Sequence, residues 1–457
     1  MVGAAIRPTN LVVTRRRVRT PEVCHAERSW EDAAVTETTS TEARPALLAS
    51  LRYPGAGRYF LGLALSMLGT WMQSISLSWL FVHELGARGT LLGLLGVVQF
   101  GPTLLLGAWA GALADRMDKR RLMLVTQVAM ACTALALAAL DFTNQESIGG
   151  VLVISGIGGL ASAFDTPVRR SIIGDLVPKS ALPNAMSLNT GVITSSRVLG
   201  MAMGGFVTKF AGTSWCFLAN GLSYIAMLVA LRAMTNRRHA SAPPTTRGGA
   251  RDAVRHVWET PMLRVAMLAT TIVATFAFNY QVTFPLLIAD VFGREADGLG
   301  ALFAITSIGS FAGALTSARR RVPSLRLFLL ACVGMGVSAI GVAVSPGFVI
   351  ANACSVPMGY CGGLLMSQLS GMLTAHSDAS MRSRVLALQS VVFLGSTPIG
   401  GPIIGFIADH FGARWSVASG GFAAAAAGVL GLAKSGRFRP SASDAVAGSE
   451  PLGFSAR

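Results

Sequence analysis

Long apolar runs, each ended by a short polar break, recur along most of this chain. Read between breaks, they fall at about 59–82, 90–113, 122–140, 148–167, 186–208, 213–233, 263–289, 298–317, 326–345, 347–373, 385–408 and 413–433. Runs of roughly 18–25 residues match the length a helix needs to cross ~30 Å of hydrocarbon. A chain in lipid must satisfy its own backbone N–H and C=O groups, and a helix does so within one segment. The pattern predicts an all-α membrane protein of twelve transmembrane helices. Many of the runs are rich in Gly and Ala, as suits closely packed membrane helices. A polar stretch with the sequence APPTTRGG splits the twelve into six and six, predicting two six-helix pseudo-repeats. The predicted organisation is a basic and polar tail over 1–57, halves over 58–234 and 263–433, a central loop over 235–262, and a tail over 434–457.

Charge fixes the expected orientation. Only 13% of residues are charged, against ~25% in soluble chains. The net charge of +16 does not mark a nucleic-acid partner, because the bases sit in alternate loops rather than on one soluble face. With the N-terminus inside, 33 Lys and Arg residues fall in tails and inner loops and only Arg88, Lys209, Arg294 and Arg414 outside. Such an asymmetry places both termini in the cytoplasm of a multi-pass protein of the cytoplasmic (inner) cell membrane. The basic N-terminal tail lacks an apolar core, so no cleavable secretory signal is expected there. Six cysteines and six histidines are scattered without metal-ligand spacing, so no metal and no cofactor is expected.

The break after the second run reads GALADRMDKRR, Gly111 to Arg121. Gly111 allows close backbone approach, Asp115 follows one turn on, and Arg116, Lys119, Arg120 and Arg121 form a basic cluster. It resembles the loop motif between the second and third helices of the major facilitator superfamily, with Asp118 in place of the motif's second glycine. The echo GALTSARRRVP after the eighth run carries Ser317 in place of the aspartate, and GMAMGGFV in the fifth run is echoed by GGPIIGFIAD in the eleventh. The resemblance implies the major facilitator fold, alternating access, and a conformational latch in which Asp115 meets the start of helix 11 near Arg384–Val385. A carboxylate there would face the positive end of a helix dipole.

Arg197 stands midway along the fifth run as the one clearly intramembrane charge. Such a group needs a cavity or a partner. Two readings stay open: a contact for an anionic or acceptor-rich substrate, or a structural pair with Asp165. Gly200, Gly204 and Gly205 resemble the helix-5 glycine pattern of antiporter branches, with Met201 where that pattern has proline; close helix packing accounts for them equally. Trp71, Gln73 and Ser76 in the first run, Asn279 and Tyr280 in the seventh, and Ser367 and Gln368 in the tenth are polar positions near mid-membrane. In the superfamily, helices 1, 4, 7 and 10 line the cavity, so these residues are candidates for it. Glu84, Asp165, Asp290 and Asp409 are placed at run ends, leaving no central carboxylate, and the helix-4 arginine of many drug–proton antiporters is absent.

Three stretches, 69–86, 98–124 and 164–200, resemble the enterobactin-exporter-like, transmembrane secretion effector branch of that superfamily. The resemblance implies a secondary active transporter, not an enzyme, exporting a siderophore, antibiotic or other secondary metabolite against inward proton flow. It implies as partners a small molecule, protons and the bilayer, with a monomer as the working unit. An importer or facilitator of a nutrient or lipid-like solute, and a transport-inactive sensor, stay open as alternatives. A shared fold does not set the substrate.

Overall fold

In the computed structural model the described residues are 49–178, 181–232, 250–320, 322–378 and 381–435; the tails and most of the central loop lie outside them. Ser50 onward forms one compact unit, which holds all the long helices. The helices are α1 (Ala56–Trp79), α2 (Gly89–Arg116), α3 (Lys119–Phe142), α4 (Ile148–Leu176), α5 (Leu182–Ala211) and α6 (Thr213–Arg232). After the central loop come α7 (Ala250–Glu259), α8 (Pro261–Phe276), α9 (Tyr280–Leu286), α10 (Ala296–Ala318), α11 (Leu325–Val344), α12 (Phe348–Ala375), α13 (Arg382–Phe411) and α14 (Ala413–Ser435).

Eleven of these spans are long and apolar enough to cross a membrane, with α8 and α9 counted together as one. The remaining long helix is α5. Its 30 residues suffice for a crossing, but Asn189, Thr190, Thr194, Ser195, Ser196 and Arg197 dilute its apolar character. The α8–α9 span is broken, which the continuous apolar run does not reveal. Helix α8 ends at Phe276 and α9 starts after Asn279, whose backbone lies outside the helical region at φ −89° and ψ 42°.

The two halves repeat each other in packing. In the first, α1 packs on α5 and α6, α2 on α4, and α3 on α4 and α6. In the second, α8 packs on α13 and α14, α10 on α12, and α11 on α12 and α14. The turns repeat as well. Both α1 and the α8–α9 span end in a single π turn, Leu80–Glu84 and Leu287–Val291. Each is followed by a glycine at positive φ, Gly86 at 58° and Gly293 at 55°. Gly212 and Gly412, at φ 97° and 90°, turn α5 into α6 and α13 into α14. Nothing lies within 4 Å of a Cβ at any of these four positions, so backbone angle and not space demands glycine there.

Small residues set the interhelical distance. A Cβ on Gly309 or Gly313 of α10 would lie 2.3 Å from the Val356 carbonyl oxygen or 1.9 Å from that of Tyr360, and one on Gly359 or Gly363 of α12 would lie 1.9 Å from the Thr306 or Ser310 oxygen. Two glycine pairs at four-residue spacing thus press backbone on backbone, the packing available where lipid removes the hydrophobic drive between helices. Large apolar side chains such as Leu105, Phe206 and Val349 remain outward and exposed, as a lipid-facing surface requires.

The halves meet through α2 against α13 and α5 against α10. The chain begins α1 and ends α14 on one face of the bundle, here called the terminal face. At the opposite face, Gly89 and Gly93 of α2 touch Gly405 and Gly401 of α13, and Gly205 of α5 touches Gly300 of α10. Lys209 pairs there with Asp297 at 2.9 Å and Glu295 at 3.5 Å.

Candidate substrate cavity

Between the halves lies a cavity of about 690 Å³, walled by α1, α2 and α5 on one side and by α8–α9, α10, α12 and α13 on the other. That volume falls within the ~300–1,000 Å³ of small-molecule sites. Much of the wall is aromatic. Phe278 packs edge-on against Phe393 with ring centroids 5.3 Å apart, and Tyr280 stacks on Phe284 at 4.9 Å. The break before α9 is what turns Asn279, Tyr280 and Gln281 toward this space, because irregular backbone at membrane depth persists where it borders a cavity.

Four sequence candidates come together on this wall: Trp71, Arg197, Asn279 and Tyr280. Each carries a buried polar atom without a hydrogen-bond partner among the described residues, namely Trp71 Nε1, Arg197 Nε, Asn279 Oδ1 and Tyr280 Oη. The Arg197 guanidinium carbon stands 5.9 Å from the centre of the Trp71 ring. Asn279 spends its amide on the Thr275 carbonyl at 2.6 Å, which leaves its oxygen free. Ser367 also lines the cavity. So do Gln99, Thr190, Thr194 and Thr397, polar positions on α2, α5 and α13 that a search restricted to helices 1, 4, 7 and 10 leaves out.

Three other candidates lie elsewhere. Gln73 accepts from Asn220 at 2.7 Å, joining α1 to α6. Ser76 bonds Thr208 at 2.7 Å, joining α1 to α5. Gln368, buried in α12, donates to Ser317 at 2.8 Å and accepts the Ser324 N–H at 2.8 Å. Each serves as interhelical glue, and polarity alone does not reveal which face of a helix meets the cavity.

Of the two readings left open for Arg197, the pair with Asp165 is absent among the described residues. Asp165, fully buried, is bonded to Arg169 of its own helix and accepts from Gln127 at 2.8 Å and Thr126 at 3.2 Å of α3. Tyr59 of α1 donates to the Arg169 carbonyl at 3.3 Å. Helix α4 continues to Leu176, so Asp165 and Arg169 lie within the helix and not at its end. Arg197 is therefore not alone as a charge inside a span, and Arg169 is not a loop base.

The helix-5 glycines divide between two neighbours. A Cβ on Gly200 or Gly204 would meet the Leu68 or Met72 carbonyl oxygen of α1 at 2.6 and 2.9 Å, whereas one on Gly205 would meet the Ala296 oxygen at 2.6 Å across the halves. Gly111, Asp115 and Arg116 belong to the last turns of α2, and the Asp115 and Arg116 side chains lie outside the described residues. The Asp118 carboxylate caps α3 by accepting the Arg121 N–H at 3.0 Å. Lys119 bonds Asp175 of α4 at 3.1 Å, and Arg120 donates to the Arg232 carbonyl at 2.7 Å, ending α6. These bases thus hold their own half together in this structure. Away from the cavity, Glu84, Asp141 and Glu146 bring carboxylate oxygens within 4.8 Å of one another, a cluster not evident from their spacing. Thr213 and Ser214, at the start of α6, donate to Asp141 at 2.6 and 2.8 Å.

Residues 50–451 match the family described as transmembrane secretion effector. The staphyloferrin A transporter of Staphylococcus aureus is 24% identical over 367 residues, 78% of this chain and 89% of that protein. The multidrug efflux pump Tap of Mycolicibacterium fortuitum is 22% identical over 75% of this chain and 87% of its own. The enterobactin exporter EntS of Shigella boydii is 22% identical over 74% and 81%. Among solved structures, a bacterial homologue of the human lysosomal transporter Spinster superposes with a TM-score of 0.68 at 16% identity, covering 85% of this chain and 99% of that one. A D-xylose–proton symporter gives 0.65 at 13%, covering 83% and 97%. Fold, cavity and kinship agree: the chain is a multi-pass secondary transporter of small molecules, a member of the transmembrane secretion effector family of the major facilitator superfamily.

Proposed function

We propose that the protein exports a small organic molecule across the cytoplasmic membrane by alternating access, with inward proton flow as the driving force. The observation that carries the reading is the cavity between the halves, with unpartnered polar atoms contributed from both sides of it. The relatives named as a siderophore exporter and a multidrug efflux pump favour outward transport. The two moving halves are residues 58–234 and 263–433; that both line one cavity within a single chain favours a monomer as the working unit. The charge asymmetry favours cytoplasmic termini, which makes the terminal face the cytoplasmic one.

In this reading the contacts of α2 with α13 and of α5 with α10 at the far face hold the cavity closed to the outside. The loop of Gly111, Asp115, Arg116, Lys119, Arg120 and Arg121 forms the opposite latch and engages when the far face opens. Substrate enters from the cytoplasm, the halves rock about it, and proton re-entry resets them. The test compares metabolites retained by cells with and without the protein, then follows the retained compound in everted vesicles. Uptake into everted vesicles that a protonophore abolishes is the expected result. Accumulation by intact cells instead would make the protein an importer, and uptake unaffected by the protonophore would remove the proton.

A further inference from the structure

Resting on the transport reading of this cavity, we infer that it selects organic anions: a carboxylate or comparable planar acceptor group seated at Arg197, Trp71 and Tyr280, with an apolar or aromatic body against the phenylalanine wall.

Charge balance is the first argument. Among the described residues lining the cavity, Arg197 is the only charged one, and no carboxylate faces it. Asp165, the counterion that the sequence offers for it, is already bonded to Arg169, Gln127 and Thr126. The Trp71 ring at 5.9 Å supplies a cation–π contact, which offsets only part of the cost of holding a guanidinium at membrane depth. A cationic ligand would meet an uncompensated like charge in a low-dielectric space, where Coulomb terms are several times their value in water. An anion would meet the missing counterion.

Hydrogen-bond valence is the second. Arg197 Nε and Trp71 Nε1 can only donate, and Tyr280 Oη can donate; all three are buried without a partner. Donors of this kind have no use for an ammonium group, which itself has only donors, and they suit a group with several lone pairs. Arg is the side chain whose planar fork matches a carboxylate. Asn279 Oδ1 can only accept; its residue is 2% exposed, and the unpartnered oxygen calls for a hydroxyl or amide N–H elsewhere on the same molecule.

Placement is the third. Trp71 and Arg197 belong to α1 and α5 of the first half, Tyr280 and Asn279 to the broken span of the second. A ligand held by both sets would bridge the halves, so that its binding energy bears on the equilibrium between open and closed states. An anion can shift that equilibrium only by the difference in its affinity for the two.

The test uses three probes that share a body and differ in head group: 4-phenylbutyrate, 4-phenylbutanol and 4-phenylbutylamine. Binding to the purified wild-type protein is measured by calorimetry and by the shift in melting temperature. The carboxylate should bind at least tenfold more tightly than the amine, with the alcohol between them. Arg197→Gln should erase the difference, and Arg197→Glu should reverse it. Arg197→Lys should keep the sign of the preference with weaker binding, since charge remains and the fork is lost. Equal binding of carboxylate and amine by wild type, or preference for the amine, overturns the inference without reference to any variant's folding. Export is tested separately in proteoliposomes. Anion preference in binding with no exchange of labelled 4-phenylbutyrate would leave the inference standing and count against the transport reading, whereas exchange of the amine as fast as the carboxylate would overturn the inference and leave transport intact.

Discussion

The carboxylate of Asp409 accepts the Gly89 N–H at 2.5 Å and the Thr90 N–H at 2.9 Å, so the end of α13 caps the start of α2. A carboxylate meets the positive end of a helix dipole and satisfies donors that have no partner within the helix. The contact joins the two halves at the face away from the termini. The loop motif sets the reciprocal arrangement as the expectation at the terminal face, where Asp115 ends α2 and α13 begins. One pair of helices would then carry a carboxylate latch at each end, and only one could hold at a time.

Asp409→Asn keeps the shape and removes the charge. Charge-assisted hydrogen bonds are roughly twice as strong as neutral ones, so the closed far face should lose about 1–2 kcal/mol. A Thr397→Cys reporter in the cavity should then react with an impermeant thiol reagent about tenfold faster from outside, tenfold being ~1.4 kcal/mol. An unchanged labelling rate would show that this cap does not hold the face closed. Lys209→Ala, which removes a half-exposed ion pair screened by solvent, should speed labelling less.

Gly205→Ala and Gly204→Ala, one residue apart, should differ in kind. The first places a methyl against the Ala296 carbonyl and Gly300 across the halves and should speed labelling of the same reporter. The second presses on Met72 within the first half and should lower the melting temperature with less effect on labelling. The same outcome for both would mean that the two contacts do not act separately.

Asp165→Asn leaves Arg169 buried without its carboxylate, and breaking such a pair costs about 3–5 kcal/mol. The double variant with Arg169→Gln should recover part of the loss. Arg197→Ala and Asp165→Ala, which are not partners, should add. Thermal unfolding of the set in one detergent checks both statements, and strong coupling between positions 165 and 197 would contradict the geometry.

Asp115→Asn should reduce transport while insertion and abundance hold. Asp118→Asn should be near neutral, because asparagine caps helices about as well as aspartate, while Asp118→Ala should cost about 1 kcal/mol of stability. Flux and melting temperature measured on all three separate the latch from the cap. Normal flux in Asp115→Asn would reduce that position to a topology signal.

Cysteines introduced at Thr245 and Ser443 should react with impermeant reagents only after the cytoplasm is opened. Labelling of either in intact cells would reverse the assigned orientation. Three of the four far-face bases that run against the charge asymmetry have structural employment: Lys209 in its ion pairs, Arg294 over the Phe348 ring at 5.3 Å, and Arg414 on the Ala343 and Ser345 carbonyls at 2.6 and 2.8 Å.

What the chain by itself determined is what lipid imposes on any chain. Hydrocarbon tolerates neither charge nor unpaired backbone, so the lengths of apolar runs set the helices, and the loop motif of Gly111 to Arg121 marks the family. What only the tertiary structure decided is which face of each helix looks where. Gln73, Ser76 and Gln368 are as polar as Tyr280 and Asn279, yet the former bond to neighbouring helices and the latter border the cavity. The break at Asn279 sits inside an apolar run whose hydropathy does not mark it, and it borders the cavity. Arg197 stands without a counterion because Arg169, a residue that reads as part of a loop, takes Asp165. Periodicity along one helix says that a face is polar; whether that face meets another helix, lipid or substrate depends on neighbours far away in sequence.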